Sequence, residues 1–328
     1  MEQILVAGAS GFVGTAVVEH LLDHGKKVTA FNRFRPQADI PFIEGDLTDA
    51  AGLEKVLSGH SFEGIIHLAS LPGDTGDPQQ MIRTNVVGLL NLLEFARKIK
   101  VGRFAMASSI SAYEWYPATK FSPPDSMPVE ETHHCRPKDM YSTSKRMQEL
   151  LLLTYYYEYS VPTTALRLTA VVGPHGKGGG RGWREFAEKL AEGKRVQIPH
   201  LTADELCHYV DARDVARMFV AVLEHPRAPG EIFNCCGPAA VRGSEFIQIV
   251  KGLVPGIEVD VGYPWSMAQG GEIAFSMEKA KKLLGFEPKY DLAASIKSIK
   301  DWVDAGGLQK EAKAAHDKSY GTGVDRTD

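Results

Sequence analysis

Residues 4–14, Ile-Leu-Val-Ala-Gly-Ala-Ser-Gly-Phe-Val-Gly, constrain the fold more than any other stretch of this chain. Ile4, Leu5 and Val6 form the short apolar run expected of a parallel central strand covered by helices on both faces. Glycines at 8, 11 and 14 follow, where the backbone can turn tightly and approach a ligand closely. Val13, Ala16, Val17, Leu21 and Leu22 then keep a helical apolar face, and His24-Gly25 reads as the helix end, with glycine at the C-cap. A helix starting directly after such a turn offers unpaired N–H groups and its positive dipole end to an anion. Strand, glycine turn and helix in this order are the dinucleotide-binding fingerprint, here spaced GxxGxxG instead of the commoner GxGxxG. Gly8, Ser10, Gly11, Phe12, Val13 and Gly14 are therefore candidate cofactor contacts.

Strand-like and helical patterns alternate from there on. Strands are expected at 27–31, 41–46, 64–69, 103–108 and 164–168, with helices over 81–100 and 141–159. This alternation predicts an α/β fold, a Rossmann-like doubly wound parallel sheet, with ligands beyond the C-terminal strand ends. Residues 1–172 are expected to form the dinucleotide-binding domain, with 210–237 returning to it. Residues 173–209 and 238–308 are expected to form a smaller C-terminal substrate lobe, and 309–328 a flexible tail. The stretch 175–182 is glycine-rich and basic and reads as a loop.

A net charge of −4 argues against nucleic acid, which requires a basic face. No apolar run reaches the roughly 18 residues of a membrane span. The chain enters its first strand at once, without a signal peptide. Cys135, Cys207, Cys235 and Cys236 lack metal-ligand spacing, so no metal is expected, and Cys235-Cys236 read as buried thiols of a reducing compartment. A cytoplasmic enzyme acting on a small molecule is the expectation.

Tyr141-Ser142-Thr143-Ser144-Lys145 carries the chemistry. Tyr and Lys at i and i+4 are neighbours on one helical face. An ammonium beside a phenol favours the phenolate, which can exchange a proton with an alcohol or carbonyl near neutral pH. Ser108 and Ser109 end the fifth strand, where a hydroxyl can polarise a reacting oxygen. Asn85, early in the 81–100 helix, either anchors backbone or a water near the site or lies on the helix surface.

With these residues in place, the chain resembles an extended short-chain dehydrogenase/reductase of the NAD-dependent epimerase/dehydratase type. The matching pieces are Gly8–Gly14, Asp46-Leu47, His67-Leu68-Ala69-Ser70, Asn85 with Gly88, Ser108-Ser109, Tyr141/Lys145, Arg167 with Gly173-Pro174, Asp214-Val215-Ala216 and Ala280–Pro288. The resemblance implies Tyr141 as catalytic acid/base and Lys145 as its tuner and a ribose ligand. It implies Ser109 as the catalytic hydroxyl, four residues before Tyr113. Asp46 and Leu47 would flank the adenine, while Leu68, Ala69 and Ser70 would line the cofactor trough. Relatives often form homodimers through the two long helices, here near 81–100 and 141–159. The implied activity is NAD(P)-dependent hydride transfer on a hydroxyl or carbonyl compound. The alternatives are a nucleotide-sugar epimerase and, less favoured, a non-catalytic dinucleotide-bound sensor.

The second strand ends in Asn32-Arg33, without the carboxylate that usually holds the ribose hydroxyls in NAD enzymes. Arg33 could pair with a 2′-phosphate, so NADP is expected over NAD. Ile110-Ser111 replaces the acidic residues that dehydratases and decarboxylases of this type carry after the catalytic hydroxyl. Ala170, Cys207 and Gln269-Gly270-Gly271-Glu272 stand where nucleotide-sugar members show Asn, Arg and Arg-Pro-Gly-Asp. Two diphosphate-clamping guanidiniums are thus missing, favouring a smaller substrate unless Lys177, Arg181 or Arg184 compensates. Trp115, Tyr116, Glu130, His133 and His134 lie in a segment that either lines the substrate pocket or packs as a surface loop.

Overall fold

A computed structural model describes residues 1–73, 77–113, 124–174, 181–262 and 272–311. The chain begins with β1 (Gln3–Ala7), α1 (Phe12–Asp23), β2 (Lys27–Asn32), β3 (Phe42–Glu44), α2 (Ala50–Leu57) and β4 (Gly64–His67). Next come α3 (Pro78–Met81), a π-helical segment (Ile82–Val87), α4 (Gly88–Lys98), β5 (Arg103–Ser109) and a 3-10 turn (Ile110–Ala112). Then follow α5 (Met140–Tyr159), β6 (Thr163–Leu168), β7 (Ala170–Val172), α6 (Arg181–Ala191), β8 (Val196–Ile198) and β9 (Leu206–Asp211). The remainder is α7 (Ala212–Glu224), β10 (Ile232–Cys235), β11 (Ala240–Arg242), α8 (Gly243–Leu253), β12 (Val259–Val261), α9 (Glu278–Leu284) and α10 (Leu292–Asp304).

Seven strands form one sheet in the order β10-β6-β5-β4-β1-β2-β3, and every pair in it is parallel. The order reverses between β1 and β4, which places a ligand crevice beyond their C-terminal ends. β1 shows why residues 4–7 are apolar without alternation. Ile4 and Val6 join the core under α1 and α7, while Leu5 and Ala7 join the one under α4 and α5. β7, β9 and β11 form a separate three-stranded sheet, and β8 pairs with β12.

Helix starts follow from short acidic side chains. Asp139 accepts from Ser142 N at the head of α5 (2.8 Å), and Asp291 from Ala294 N at the head of α10 (2.8 Å). Gly11 heads α1 without a side-chain cap, which leaves that helix N-terminus to a ligand. The single helix expected over 81–100 is interrupted by the π-helical segment, and α6 begins at Arg181 inside the expected loop, of which 175–180 lie outside the described residues. Residues 307–311 are helical, and Glu311 is buried against Arg184.

Gly14 sits in the first turn of α1, where a methyl group would overlap the Gly8 carbonyl oxygen and stand 2.8 Å from Ala9 Cα. In an open helix Gly→Ala stabilises. Here Gly14→Ala is expected to destabilise by about 1–3 kcal/mol in denaturant unfolding, as overpacking does, and to weaken dinucleotide binding.

Candidate active site

The glycine turn is held from two sides. Gly8 N donates to Phe31 O (3.2 Å) and to Asn32 Oδ1 (2.9 Å), so the end of β2 grips the turn after β1. Gly8 has φ +92°, and a methyl there would stand 2.5 Å from Ala69 N. The turn therefore touches the backbone after β4, where Leu68, Ala69 and Ser70 are half-buried. Asn32 Nδ2 is buried and has no hydrogen-bond partner among the described residues. Such an orphaned donor calls for a partner, and a cofactor hydroxyl fits it. Leu47 is buried, and its carbonyl accepts from Asn91 Nδ2 (2.8 Å). Asp46 is exposed and caps its own turn through Thr48 N (2.8 Å). Arg33 is exposed, its guanidinium 5.9 Å from the Phe34 ring. The uncapped helix start, the methyl-free cradle and the orphaned amide together fit a dinucleotide.

Asn85 is fully buried on the π-helical segment. Its Oδ1 accepts from Leu71 N (2.8 Å), and its Nδ2 donates to Leu71 O (3.2 Å) and Ser144 Oγ (3.0 Å). Gln148 Nε2 donates to the Asn85 carbonyl (2.6 Å). Asn85 thus anchors backbone, tying the loop after β4 to α5 beside Lys145.

Lys145 Nζ donates to Ala107 O on β5 (3.0 Å) and lies 5.7 Å from the centre of the Tyr141 ring. Burial lowers its pKa to about 8, against the opposing pull of the Glu149 carboxylate. Ser109 ends β5, and its Oγ accepts from Ser111 N (3.1 Å), leaving the O–H to donate. The π-helical segment, β5 and α5 are thus tied together, with the Lys145 ammonium between β5 and the Tyr141 ring and Ser109 at the end of the same strand. That set can move a proton at an oxygen and stabilise charge developing on it.

Of two further buried groups, His67 entered the sequence reading only within a matching motif, without a role, and Glu149 not at all. His67, at the end of β4, is 1% exposed, and burial, then Lys145, lowers its pKa to about 3, so the imidazole is neutral. Glu149, one helical turn past Lys145, is fully buried and paired with Arg167. A carboxylate at a core-facing helical position was the available signal.

Of the residues expected to bear on the substrate, Cys207 is buried in β9 opposite Val241, and Ala170 opposite Tyr209. Arg242 pairs with Glu272 (2.9 Å), and Arg184 with Glu188 (2.8 Å) and Glu311. Trp115, Tyr116, Lys177 and Gln269–Gly271 lie outside the described residues, as does the Arg181 side chain. His133 packs edge-on to Tyr113, 6.2 Å between centroids, while Glu130 is exposed. Although the sequence pointed to no metal, Asp125, His133 and His134 bring one potential ligand atom each within 4.8 Å of one another.

The fold and site define a dinucleotide-dependent enzyme of the extended short-chain dehydrogenase/reductase type. The description "NAD dependent epimerase/dehydratase family" matches residues 4–236, and the chain belongs to that family. The UDP-glucose 4-epimerase of Corynebacterium glutamicum is 27% identical over 343 residues, covering 97% of this chain and 100% of the relative. The solved UDP-glucose 4-epimerase of Thermotoga maritima, with UDP-glucose, superposes with a TM-score of 0.79 at 25% identity, covering 92% of this chain and 99% of that one. The UDP-glucuronic acid 4-epimerase of Bacillus cereus, in complex with NAD, shares the fold (TM-score 0.75, 23% identity, 93% and 99% covered).

Lys145→Met separates stability from function. The lowered pKa means that the folded state disfavours the ammonium, a cost present in full below pH ~8 and relieved as pH rises toward the unfolded value. Lys145→Met is expected to raise the melting temperature at pH 7 while lowering dinucleotide-dependent turnover by about 100-fold or more. Thermal unfolding and turnover of the same preparation check both.

Proposed function

We propose that the protein transfers hydride reversibly between a nicotinamide dinucleotide and a hydroxyl- or carbonyl-bearing carbon of a small molecule, with Tyr141 as acid/base. The observation that carries this reading is the buried Lys145 ammonium, fixed on Ala107 O beside the Tyr141 ring and the serine-bearing end of β5. The glycine turn, Asn32 and the loop after β4 would hold the dinucleotide, which would supply the hydride acceptor or donor. In the oxidative direction Tyr141 Oη, as phenolate, takes the proton of the substrate hydroxyl. The Lys145 ammonium favours that phenolate, and Ser109 Oγ–H donates to the reacting oxygen. In the reverse direction Tyr141 returns the proton to the carbonyl oxygen.

A small substrate is supported by how the lobe uses its cations. Arg184 and Arg242 are engaged by carboxylates, and Cys207 is part of a buried ladder. A diphosphate needs cationic partners once it leaves water. The second reading is a nucleotide-sugar epimerase that retains its cofactor, favoured by the UDP-sugar epimerases among the relatives. Small polyols and hydroxy acids tested beside UDP-glucose and UDP-glucuronate separate the two. Net dinucleotide reduction supports the first reading, and inversion of a UDP-sugar without net reduction supports the second in its place. Activity retained by Tyr141→Phe would sink both.

A homodimer built on α4 and α5 belongs to the same proposal. Met140, Met147, Leu150 and Tyr157 form an exposed stripe on α5, and Val87 and Leu90 are exposed beside α4. Apolar surface rimmed by polar residues marks an interaction face. Sedimentation should give a dimer mass that Leu150→Glu lowers to the monomer, and a monomeric wild type rules the dimer out. A reducing, cytoplasmic setting suits the buried thiols of Cys235 and Cys236, which form no disulfide. Among the described residues no helix is long and apolar enough to cross a membrane.

The cofactor preference is for NADP, supported by exposed Arg33 at a strand end without a carboxylate. Arg33→Ala is expected to weaken NADP binding by about tenfold or more, the loss of a charge-assisted hydrogen bond, with NAD binding little changed. Equal loss for both, measured by titration calorimetry, removes the preference.

A further inference from the structure

The catalytic groups assigned above stand on two elements, Ser109 on β5 and Tyr141 with Lys145 on α5. Their mutual position depends on whatever locks α5 against β5. Glu149 continues the helical face of Tyr141 and Lys145 at the next i+4 step. Its Oε1 accepts from Ser108 Oγ (2.7 Å) and Arg167 Nε (2.8 Å). Its Oε2 accepts from Arg167 Nη2 (2.8 Å) and Arg146 Nη1 (3.0 Å). A carboxylate has about four acceptor sites, and here all are used. Ser108 and Arg167 are register partners on β5 and β6, so the carboxylate straddles the strand pair one residue from Ser109. Arg167 also donates to Glu131 O (3.3 Å), and its guanidinium lies 4.3 Å from the centre of the Tyr113 ring. It thereby holds both the turn after Ser109 and the segment that leads into α5.

We propose that Glu149 and Arg167 are positioning residues: their buried ion pair, tied to Ser108, fixes the register of the Tyr141–Lys145 helix face against the end of β5. Burial penalises a charged pair heavily, and apolar residues of similar volume often serve stability as well or better. A pair with 0% and 2% side-chain exposure, joined to both elements that carry the assigned catalytic groups, is therefore better explained by alignment than by stability. Burial pushes the Glu149 carboxyl up, but the Arg167 hydrogen bonds and charge, with Ser108 and Arg146, hold it below its ordinary value. Around Lys145 the other titratable groups are neutral His67 from β4 and Tyr141 and Glu149 on α5, while β5 contributes the Ala107 carbonyl and Ser108.

The inference rests on the proposed role of Tyr141, and its test needs no substrate. The tyrosinate absorbance of the full chain, less that of Tyr141→Phe, follows the Tyr141 titration. Lys145 beside it should place that titration below the ordinary phenol value. Glu149→Gln/Arg167→Met removes both charges together, and Ser108→Ala cuts only the strand tether. The double variant is expected to raise the Tyr141 pKa by about 1 unit, as the ammonium loses its place beside the phenol. Ser108→Ala should shift it less, in the same direction. A merely structural role predicts a lower melting temperature with the titration unmoved, and that result overturns the inference. If the double variant does not fold, Ser108→Ala decides, and an unshifted titration in it overturns the inference. A wild-type Tyr141 titrating at or above the ordinary phenol value instead overturns the assigned acid/base chemistry, which keeps the two failures apart.

Discussion

There is no room for a side chain at Gly8 or Gly14, and the crevice depends on that. The carbonyl of Gly8 lies against Gly14 in the first turn of α1, while Gly8 itself lies against the backbone after β4. These two close approaches bring the end of β1, the start of α1 and the end of β4 to one point. Because the strand order reverses there, the same point opens to ligands. The amide of Asn32 reaches across from β2 to hold the turn, so the binding site is built from side-chain-free backbone and one well-placed hydrogen bond.

The chemistry assigned to this crevice requires a buried cation, and the fold bears its cost. Lys145 lies in a region where burial favours the neutral amine, yet the role proposed for it demands the ammonium. The protein answers with the Ala107 carbonyl and with the negative charge of Glu149 one helical turn away. His67 is kept neutral nearby and adds no competing charge. Stability and function thus pull in opposite directions at one residue, as expected where a site is preorganised for charge.

The part of the chain proposed to receive the substrate uses its cations internally. Guanidiniums that could face an anionic ligand are drawn onto carboxylates of the chain itself, Arg242 onto Glu272 and Arg184 onto Glu188 and Glu311. The family and the sheet are shared with UDP-sugar epimerases, but a shared fold leaves the ligand to local side chains. At 27% identity to such a relative, the smaller substrate proposed for this chain rests on those local side chains and not on the fold.

The sequence by itself determined the class of fold and the family, and it supplied the residues on which the proposed chemistry rests. The Gly8–Gly14 turn, the apolar strands and the Tyr141/Lys145 spacing are local signals, read from period and glycine chemistry within a few residues. They were sufficient because each reports on backbone geometry that its own segment must adopt. Which side chains meet across segments was decided only by the tertiary structure. Asn85 looked equally like a surface residue until the fold brought Leu71 and Ser144 to it. Glu149 and Arg167 are 18 residues apart, with nothing local to pair them. The break of the 81–100 helix into a π-helical segment left no mark in the apolar pattern. Pairing and burial of polar groups depend on long-range packing, where a lost hydrogen bond is costly but no periodicity records the partner.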